Sequence, residues 1–174
     1  MIDESRMHVM IQEEAIQLRV KELGMEITQD YAGQELVLVC ILNGGVMFMT
    51  DLAKNIQMPM TMDFMKVSSY GNEQVSSGVI KIKQDLSQDI KGKHVLIIED
   101  IVDTGRTLYH LKQLLREREP ASVKICSLLD KPQRRVSPVV IEYTGFVIED
   151  KFVLGYGLDY EQYYRNLPYV AYVE

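Results

Sequence analysis

Three short apolar runs do most to limit the folds that this chain can adopt. They are "ELVLVCIL" (35–42), "HVLII" (94–98) and "SVKICSLL" (122–129). Strands with one wet face alternate apolar and polar residues, whereas strands buried on both faces are apolar almost throughout. Such strands occur in parallel sheets that carry helices on both faces. The runs therefore predict an α/β fold with a mostly parallel central sheet flanked by helices.

The segments around these runs supply the remaining elements. Apolar residues recur at helical spacing between residues 11 and 31, "VMFMTDLAKNI" (46–56) is typical of a second helix, and a third is predicted from about Thr104 to Arg118. Further strands are predicted at 60–70, 79–83 and 139–148. Strands that alternate with helices predict right-handed crossovers. At 174 residues, with no linker-like stretch, we expect one domain, 1–174.

The stretch "HVLIIEDIVDTGRTL" (94–108) joins a buried strand to two kinds of polar group. The strand is expected to end at Glu99 and Asp100, whose burial costs desolvation and repulsion unless cations or hydroxyl donors compensate. The next loop opens a helix, where unpaired backbone N–H groups and the helix dipole favour an anion. A ribose phosphate with magnesium would satisfy both parts of the stretch: its hydroxyl groups and the cation would compensate the acid pair, and its phosphate would bind the loop. For the loop alone, an ordinary helix start capped by Thr104 is the alternative.

Polar loops follow three of the predicted strands, at 42–45, 99–107 and 130–135. In open sheets of this class the ligand lies beyond the carboxyl ends of the strands. The three loops are therefore predicted to form one site.

Composition excludes several classes of function. The formal net charge of −6 and the pI near 5.2 argue against general nucleic-acid binding. No apolar run approaches the roughly 18 residues that cross a membrane, and "MIDESRMHVM" lacks the pattern of a signal peptide. Cys40 and Cys126 lie in apolar runs and are expected to be buried, reduced thiols. These features predict a cytoplasmic protein without nucleic-acid or membrane partners.

The segment "VLIIEDIVDTGRTL" closely resembles the phosphoribosyl pyrophosphate (PRPP) signature of type I phosphoribosyltransferases. Other segments are similar to one branch of that family, the hypoxanthine-guanine phosphoribosyltransferases. They are "ILNGGVMFMTDL" (41–52), "DFMKVSSYGN" (63–72), "LLDKPQRR" (128–135) and "DKFVLGYGLDYEQYYRNLPYV" (150–170). The resemblance implies the type I fold, with a small hood formed by about 1–10 and 140–174.

By this resemblance the chain is a purine-salvage enzyme. It would transfer the 5-phosphoribosyl group of PRPP to N9 of hypoxanthine or guanine, giving IMP or GMP and pyrophosphate, as a homodimer or homotetramer. The loop from Asp103 to Thr107, with Thr104, Gly105 and Arg106 between them, would bind PRPP through its 5′-phosphate. Asp103 would also exchange a proton with purine N7.

The resemblance further implies magnesium. Glu99 and Asp100 would face the ribose hydroxyls of PRPP and the metal, and Asp159 would be a second metal-associated carboxylate. Magnesium prefers oxygen ligands and keeps several waters, so few direct protein ligands are expected.

The pyrophosphate of PRPP would be held by the loop Leu42-Asn43-Gly44-Gly45 and by Arg165. In the family this loop can carry a cis peptide bond before its second residue, here Leu42–Asn43. Many relatives have Lys or Arg at the position of Asn43, so this chain would rely on backbone N–H groups there.

The remaining implied roles concern the purine and water exclusion. Ser69 and Tyr70 would belong to a lid over the bound substrates. Phe152 would stack on the purine, the Val153 backbone would meet its Watson–Crick edge, and Lys131 would donate to its 6-oxygen.

Two rival functions are open at this point. An RNA-binding regulator could retain the phosphoribosyltransferase fold. Such a protein would need a basic surface, which the net charge of −6 does not favour. A phosphate-accepting receiver domain also has an acidic pair at a strand end. Receivers place that pair on their first strand, whereas Glu99 and Asp100 come late in this chain.

Overall fold

The computed structural model describes residues 2, 4–69 and 80–174, and in these ranges it contains two sheets and three α-helices. The strands are β1 (Met7–Ile11), β2 (Leu36–Ile41), β3 (Thr61–Ser69), β4 (Ile80–Gln84), β5 (His94–Val102), β6 (Ser122–Asp130), β7 (Tyr143–Val147), β8 (Val153–Leu154) and β9 (Val170–Val173). The helices are α1 (Glu13–Asp30), α2 (Val46–Asn55) and α3 (Arg106–Arg116).

The central sheet has the strand order β4-β3-β2-β5-β6-β7. Its neighbours pair in parallel except for β3 and β4, which are antiparallel. The prediction of a mostly parallel sheet flanked by helices is therefore confirmed. The three apolar runs became the adjacent central strands β2, β5 and β6, which is why each is apolar on both faces.

Successive side chains of a strand point to opposite faces of the sheet, so β2 and β5 each contribute residues to two hydrophobic cores, one on each face. One core packs against α1 and α2 and the other against α3. The first includes Leu38, Cys40, Leu96, Ile98, Ile16, Leu23, Phe48 and Leu52, and the second Val37, Val39, Val95, Ile97, Leu108, Leu111 and Leu115. Cys40 and Cys126 are free and buried, as expected.

A second, three-stranded sheet joins the two ends of the chain. Its order is β1-β9-β8, and β9 is antiparallel to both neighbours. These strands fall mostly within the segments predicted to form a hood. Among the described residues no helix is long and apolar enough to cross a membrane.

Several predicted boundaries differ from the observed ones, and three of these differences have a clear physical reason. β5 continues through the acids to Val102, because it pairs with β6 as far as Asp130. α3 begins at Arg106 rather than Thr104, since Gly105 takes a left-handed conformation (φ 76°) just before it. β7 begins at Tyr143 rather than at residue 139, because the preceding residues leave the sheet and pack against the α3 core.

Candidate active site

The three polar loops predicted to form a site follow neighbouring strands. β2 lies beside β5, and β5 lies beside β6, all parallel. Their carboxyl ends therefore open at one edge of the sheet, where the loops after residues 41 and 102 and after Asp130 meet. Lys131 N donates to Val102 O (2.9 Å), which fixes the third loop against the second.

The loop after β5 borders a cavity of about 220 Å³. Residues from this segment that line it are Glu99, Ile101, Val102, Asp103, Thr104, Gly105, Thr107 and Leu108. Arg106, which was predicted to help bind phosphate, is exposed and is not among the lining residues. The loop thus presents small groups and backbone at a helix start, where an anion is favoured.

Residues 135–137, at the end of the third polar loop and just after it, hold the loop after β5 in place. Val136 N and Ser137 N both donate to Thr104 O (3.0 and 3.1 Å). Arg135 Nε donates to Asp103 O (3.2 Å), and its Nη2 pairs with Asp130. Gly105 has φ 76°, and a methyl group there would lie 2.7 Å from Val139 Cγ1 and 2.9 Å from Arg135 Cδ, so both conformation and packing favour glycine.

The acid pair on β5 carries unfavourable charge. Burial raises the pKa of Glu99 well above its ordinary value, and the Asp100 charge raises it further. Burial also raises the pKa of Asp100, against the opposing charge of Arg165. The pair is therefore poised to gain a cation or hydroxyl donors.

We predict that Asp100→Asn stabilises the protein at neutral pH. In the unfolded chain both carboxyl groups ionise near their ordinary pKa, but in the folded protein they hold protons to higher pH. Stability is therefore lost as the pH rises from the ordinary pKa through the raised ones. Removing one charge should raise the Tm at pH 7 by a few degrees, since about 1 kcal/mol corresponds to roughly 2–4 °C in a chain of this size.

The measurement is thermal unfolding from pH 4 to pH 8 in EDTA. The gain should shrink toward pH 4, where the wild-type pair is protonated. Asp85→Asn is the control with the opposite sign, because the hydrogen bond from Arg118 lowers the pKa of Asp85. A Tm difference for Asp100→Asn that stays constant across this range would contradict the explanation.

The loop after β2 packs on the acid pair. The Leu42–Asn43 peptide bond is cis, in agreement with the resemblance. A methyl group at Gly44 would overlap the Asp100 carboxylate, so this backbone lies directly on that side chain. Lys66 Nζ donates to Asn43 Oδ1 (3.3 Å), which brings to the loop a cation that the sequence had not indicated.

Residues 155–165 cover the same loop from the other side. Gly157 adopts φ 101°, and a methyl group there would overlap the carbonyl oxygen of Gly44. Arg165 Nη1 donates to Gly157 O (2.6 Å), and its Nη2 pairs with Asp159 Oδ1 (2.7 Å). The structure thus joins Asp159 and Arg165 to each other and to the loop predicted to bind pyrophosphate.

Gly157→Ala should disturb the loop at Gly44. We expect the KM for PRPP to rise by about tenfold, because displacement of a positioning backbone by a fraction of an ångström weakens every contact it makes. Steady-state kinetics at saturating purine would measure this. Gly92→Ala is the matched control, since Gly92 also has a positive φ (73°) but nothing lies within 4 Å of a methyl group added there. An unchanged KM in Gly157→Ala would show that the contact does not matter.

The residues predicted to bind the purine lie around the end of β6. Lys131 is only 8% exposed, and its Nζ donates to Lys151 O (2.5 Å) and lies 3.5 Å from Asp150 Oδ1. Phe152 is 53% exposed and meets Tyr160 edge to face, so its ring is accessible for stacking. Val153 is buried in β8.

Three further residues were predicted to belong to the site: Ser69, Tyr70 and Asp103. Ser69 is the last residue of β3, and Tyr70 lies outside the described residues. Asp103 is paired with Arg134, whose Nε donates to Asp103 Oδ1 (3.0 Å). That partner was not predicted, because Arg134 is 31 positions away in the sequence.

Comparison with known proteins decides the family. A model of the phosphoribosyl transferase domain matches residues 10–161. The chain belongs to the phosphoribosyl transferase family. Hypoxanthine-guanine phosphoribosyltransferase of Streptococcus pneumoniae is 52% identical over 171 residues, covering 98% of this chain and 95% of that protein. Hypoxanthine phosphoribosyltransferase of Salmonella typhimurium is 52% identical over 165 residues, covering 94% and 93%.

A solved structure of this family agrees in three dimensions. The crystal structure of a hypoxanthine phosphoribosyltransferase from Staphylococcus aureus matches with a TM-score of 0.95 at 47% identity. The match covers 98% of this chain and 94% of that one. The type I phosphoribosyltransferase fold predicted from the sequence is therefore confirmed.

Magnesium fits the phosphoribosyl transferase site through its acid pair. Glu99 and Asp100 offer oxygen ligands of the kind that this ion prefers, in a partly buried position that disfavours their charge. Within the described ranges, no three His, Cys, Asp or Glu side chains cluster as a metal site. Asp159, which pairs with Arg165, does not complete one. An ion here would take its other ligands from substrate and water.

Proposed function

We propose that this protein is a purine-salvage phosphoribosyltransferase that transfers the 5-phosphoribosyl group of PRPP to N9 of hypoxanthine or guanine. The products are IMP or GMP and pyrophosphate. The observation that carries the proposal is the meeting of three groups at one sheet edge: a loop suited to phosphate, a partly buried acid pair and a buried lysine. Relatives named for this activity match nearly the whole chain.

The 5′-phosphate of PRPP binds to the loop from Asp103 to Thr107. The N–H groups at the start of α3 and the hydroxyl groups of Thr104 and Thr107 supply donors, and Gly105 allows close approach of the backbone. Support for this assignment comes from the cavity that Thr104, Gly105 and Thr107 line together.

Glu99 and Asp100 would hold the ribose hydroxyls and a magnesium ion. The ion would supply positive charge to neutralise the departing pyrophosphate. The acid pair holds the ribose by accepting hydrogen bonds, which also relieves the unfavourable burial of the two carboxyl groups. Asp159 contributes from the opposite loop, as a group that orients Arg165.

The pyrophosphate end lies at Leu42-Asn43-Gly44-Gly45. Gly45 N already donates to Ile41 O (3.1 Å), so the N–H groups of Asn43 and Gly44 are the ones offered to the anion. Arg165 adds positive charge from the covering loop, and Lys66 adds it beside Asn43. A leaving group with several negative charges is stabilised by such fixed donors and cations.

The purine binds between Asp103, Lys131 and Phe152. Asp103 exchanges the proton at N7, which is general acid/base work. Lys131 Nζ has three donors, of which one goes to Lys151 O, so it can serve the 6-oxygen of an oxopurine. Phe152 stacks on the ring, and the backbone at Val153 meets the Watson–Crick edge. Ser69 and Tyr70 form part of a lid that excludes water.

The proposal also covers the cellular location, the partners and the assembly of the protein. We place the reaction in the cytoplasm, in agreement with two free buried cysteines. The substrates are small molecules, and the net charge of −6 does not favour an RNA partner. The proposed assembly is a homodimer or homotetramer.

One assay tests the proposal. Purified protein is incubated with PRPP, magnesium and each of five bases: hypoxanthine, guanine, xanthine, adenine and uracil. Nucleotide and pyrophosphate are measured together. We expect equal amounts of both with hypoxanthine or guanine, none with adenine or uracil, and no product when EDTA removes the magnesium. Failure to form IMP or GMP would refute the proposed function.

A further inference from the structure

A chain of charged side chains connects Asp103 to Lys131. Arg134 Nε donates to Asp103 Oδ1 (3.0 Å), and Arg134 Nη1 lies 3.6 Å from Asp150 Oδ2. The other oxygen of Asp150 lies 3.5 Å from Lys131 Nζ. Arg134 and Asp150 therefore stand between the two side chains that the proposed function assigns to purine N7 and to the 6-oxygen.

We propose that Arg134 and Asp150 form a bridge that sets the distance between Asp103 and Lys131, and thereby the position of the purine. Both are positioning residues and neither touches the substrate. The proposal rests on the proposed function, because it assumes that Asp103 and Lys131 contact neighbouring atoms of one purine. It adds a specific device that makes the two groups move together.

The backbone supports such coupling. Lys131 and Arg134 belong to one short turn, in which Arg134 N donates to Lys131 O (3.1 Å). Lys131 is anchored further by the carbonyl of Lys151, the residue next to Asp150. Arg134 binds Oδ1 of Asp103, and the carboxylate has a second oxygen, Oδ2, for the purine proton. The bridge can therefore persist while Asp103 exchanges a proton.

Stability alone does not account for this arrangement. The side chains of Asp103, Arg134 and Asp150 are 43%, 49% and 45% exposed, and exposed ion pairs add little to stability. Holding two long-range partners in one geometry costs side-chain entropy. This cost is offset by function, because the ordered side chains fix the spacing of two purine-binding groups, and small misplacements of such groups slow a reaction strongly.

The test compares Arg134→Gln, Asp150→Asn, the double variant and Arg134→Lys in steady-state assays with hypoxanthine and PRPP. Each neutral single variant should lower kcat by about tenfold and raise the KM for hypoxanthine, because a sub-ångström displacement affects the purine end. The KM for PRPP should stay within about twofold of wild type. The double variant should be no worse than the poorer single variant, since both changes break one bridge. Arg134→Lys should recover part of the loss.

Arg118→Gln is the matched control, because it removes an exposed bidentate pair with Asp85 beyond the far end of α3. All variants should keep a Tm within about 4 °C of wild type. Wild-type kcat and hypoxanthine KM in Arg134→Gln, or additive losses in the double variant, would overturn the bridge while leaving the proposed function intact. A wild-type protein that makes no IMP would instead refute the proposed function itself.

Discussion

Asp103→Asn is expected to lower kcat for IMP formation by roughly 10²–10⁴-fold, the usual contribution of a general acid/base group. Asparagine keeps the size of the side chain, and its Oδ1 can still accept the hydrogen bond from Arg134 Nε. It cannot take or give the N7 proton at neutral pH. The variant therefore separates proton transfer from the position of the loop.

We would measure kcat, and the KM for each of the two substrates with the other substrate at a saturating concentration. The KM for PRPP should change little, because the N–H groups that bind the 5′-phosphate belong to the backbone of the same loop. Asp130→Asn is a useful comparison, since Asp130 also supports this loop, through Arg135. Near-normal turnover in Asp103→Asn would remove Asp103 from the acid/base role.

The central sheet could be predicted because its signal is local. Each of the runs at 35–42, 94–98 and 122–129 is largely apolar without alternation, and that pattern is typical of strands buried on both faces. The edge on which the site lies followed from the order of strands and polar loops. The resemblance of the segment around Asp103 to a known signature then implied the ligand class.

The bridging and supporting contacts could not be predicted, because they depend on tertiary packing. Arg134 and Arg135 look like ordinary loop residues, yet one reaches Asp103 and the other reaches its carbonyl. The collision that makes Gly157 necessary involves Gly44, more than a hundred positions earlier. The extension of β5 to Val102 depends likewise on the length of its partner β6.

The acid pair, Glu99 and Asp100, lowers the stability of the folded chain. Burial raises the pKa of both adjacent carboxyl groups on this central strand, and the charge of Asp100 raises the pKa of Glu99 further. An Asn or Gln at either position would suit the folded chain better. In the proposed function the substrate supplies hydroxyl groups and a cation at this pair, so a loss of stability would accompany the gain in activity.

Lys131→Ala is expected to cost about 10²-fold in kcat/KM for hypoxanthine, because a hydrogen bond to a charged group contributes about 1.5–3 kcal/mol. Selectivity should fall as well. An ammonium group has only donors, so it suits the 6-oxygen of an oxopurine and opposes the 6-amino group of adenine. Sites built on such a bond can discriminate by about 10⁴, and the alanine variant should lose much of that ratio.

The control for this prediction is Lys112→Ala, because Lys112 is equally buried (8% exposed) and forms an ion pair with Glu142 (2.9 Å) away from the site. Both variants leave a carboxylate without its lysine, so both should lower the Tm. Only Lys131→Ala should narrow the hypoxanthine/adenine ratio of kcat/KM, measured with each base under the same PRPP and magnesium. If Lys131→Ala keeps full selectivity, another group recognises the 6-oxygen, and the bridge through Arg134 and Asp150 would then have no purine contact to position.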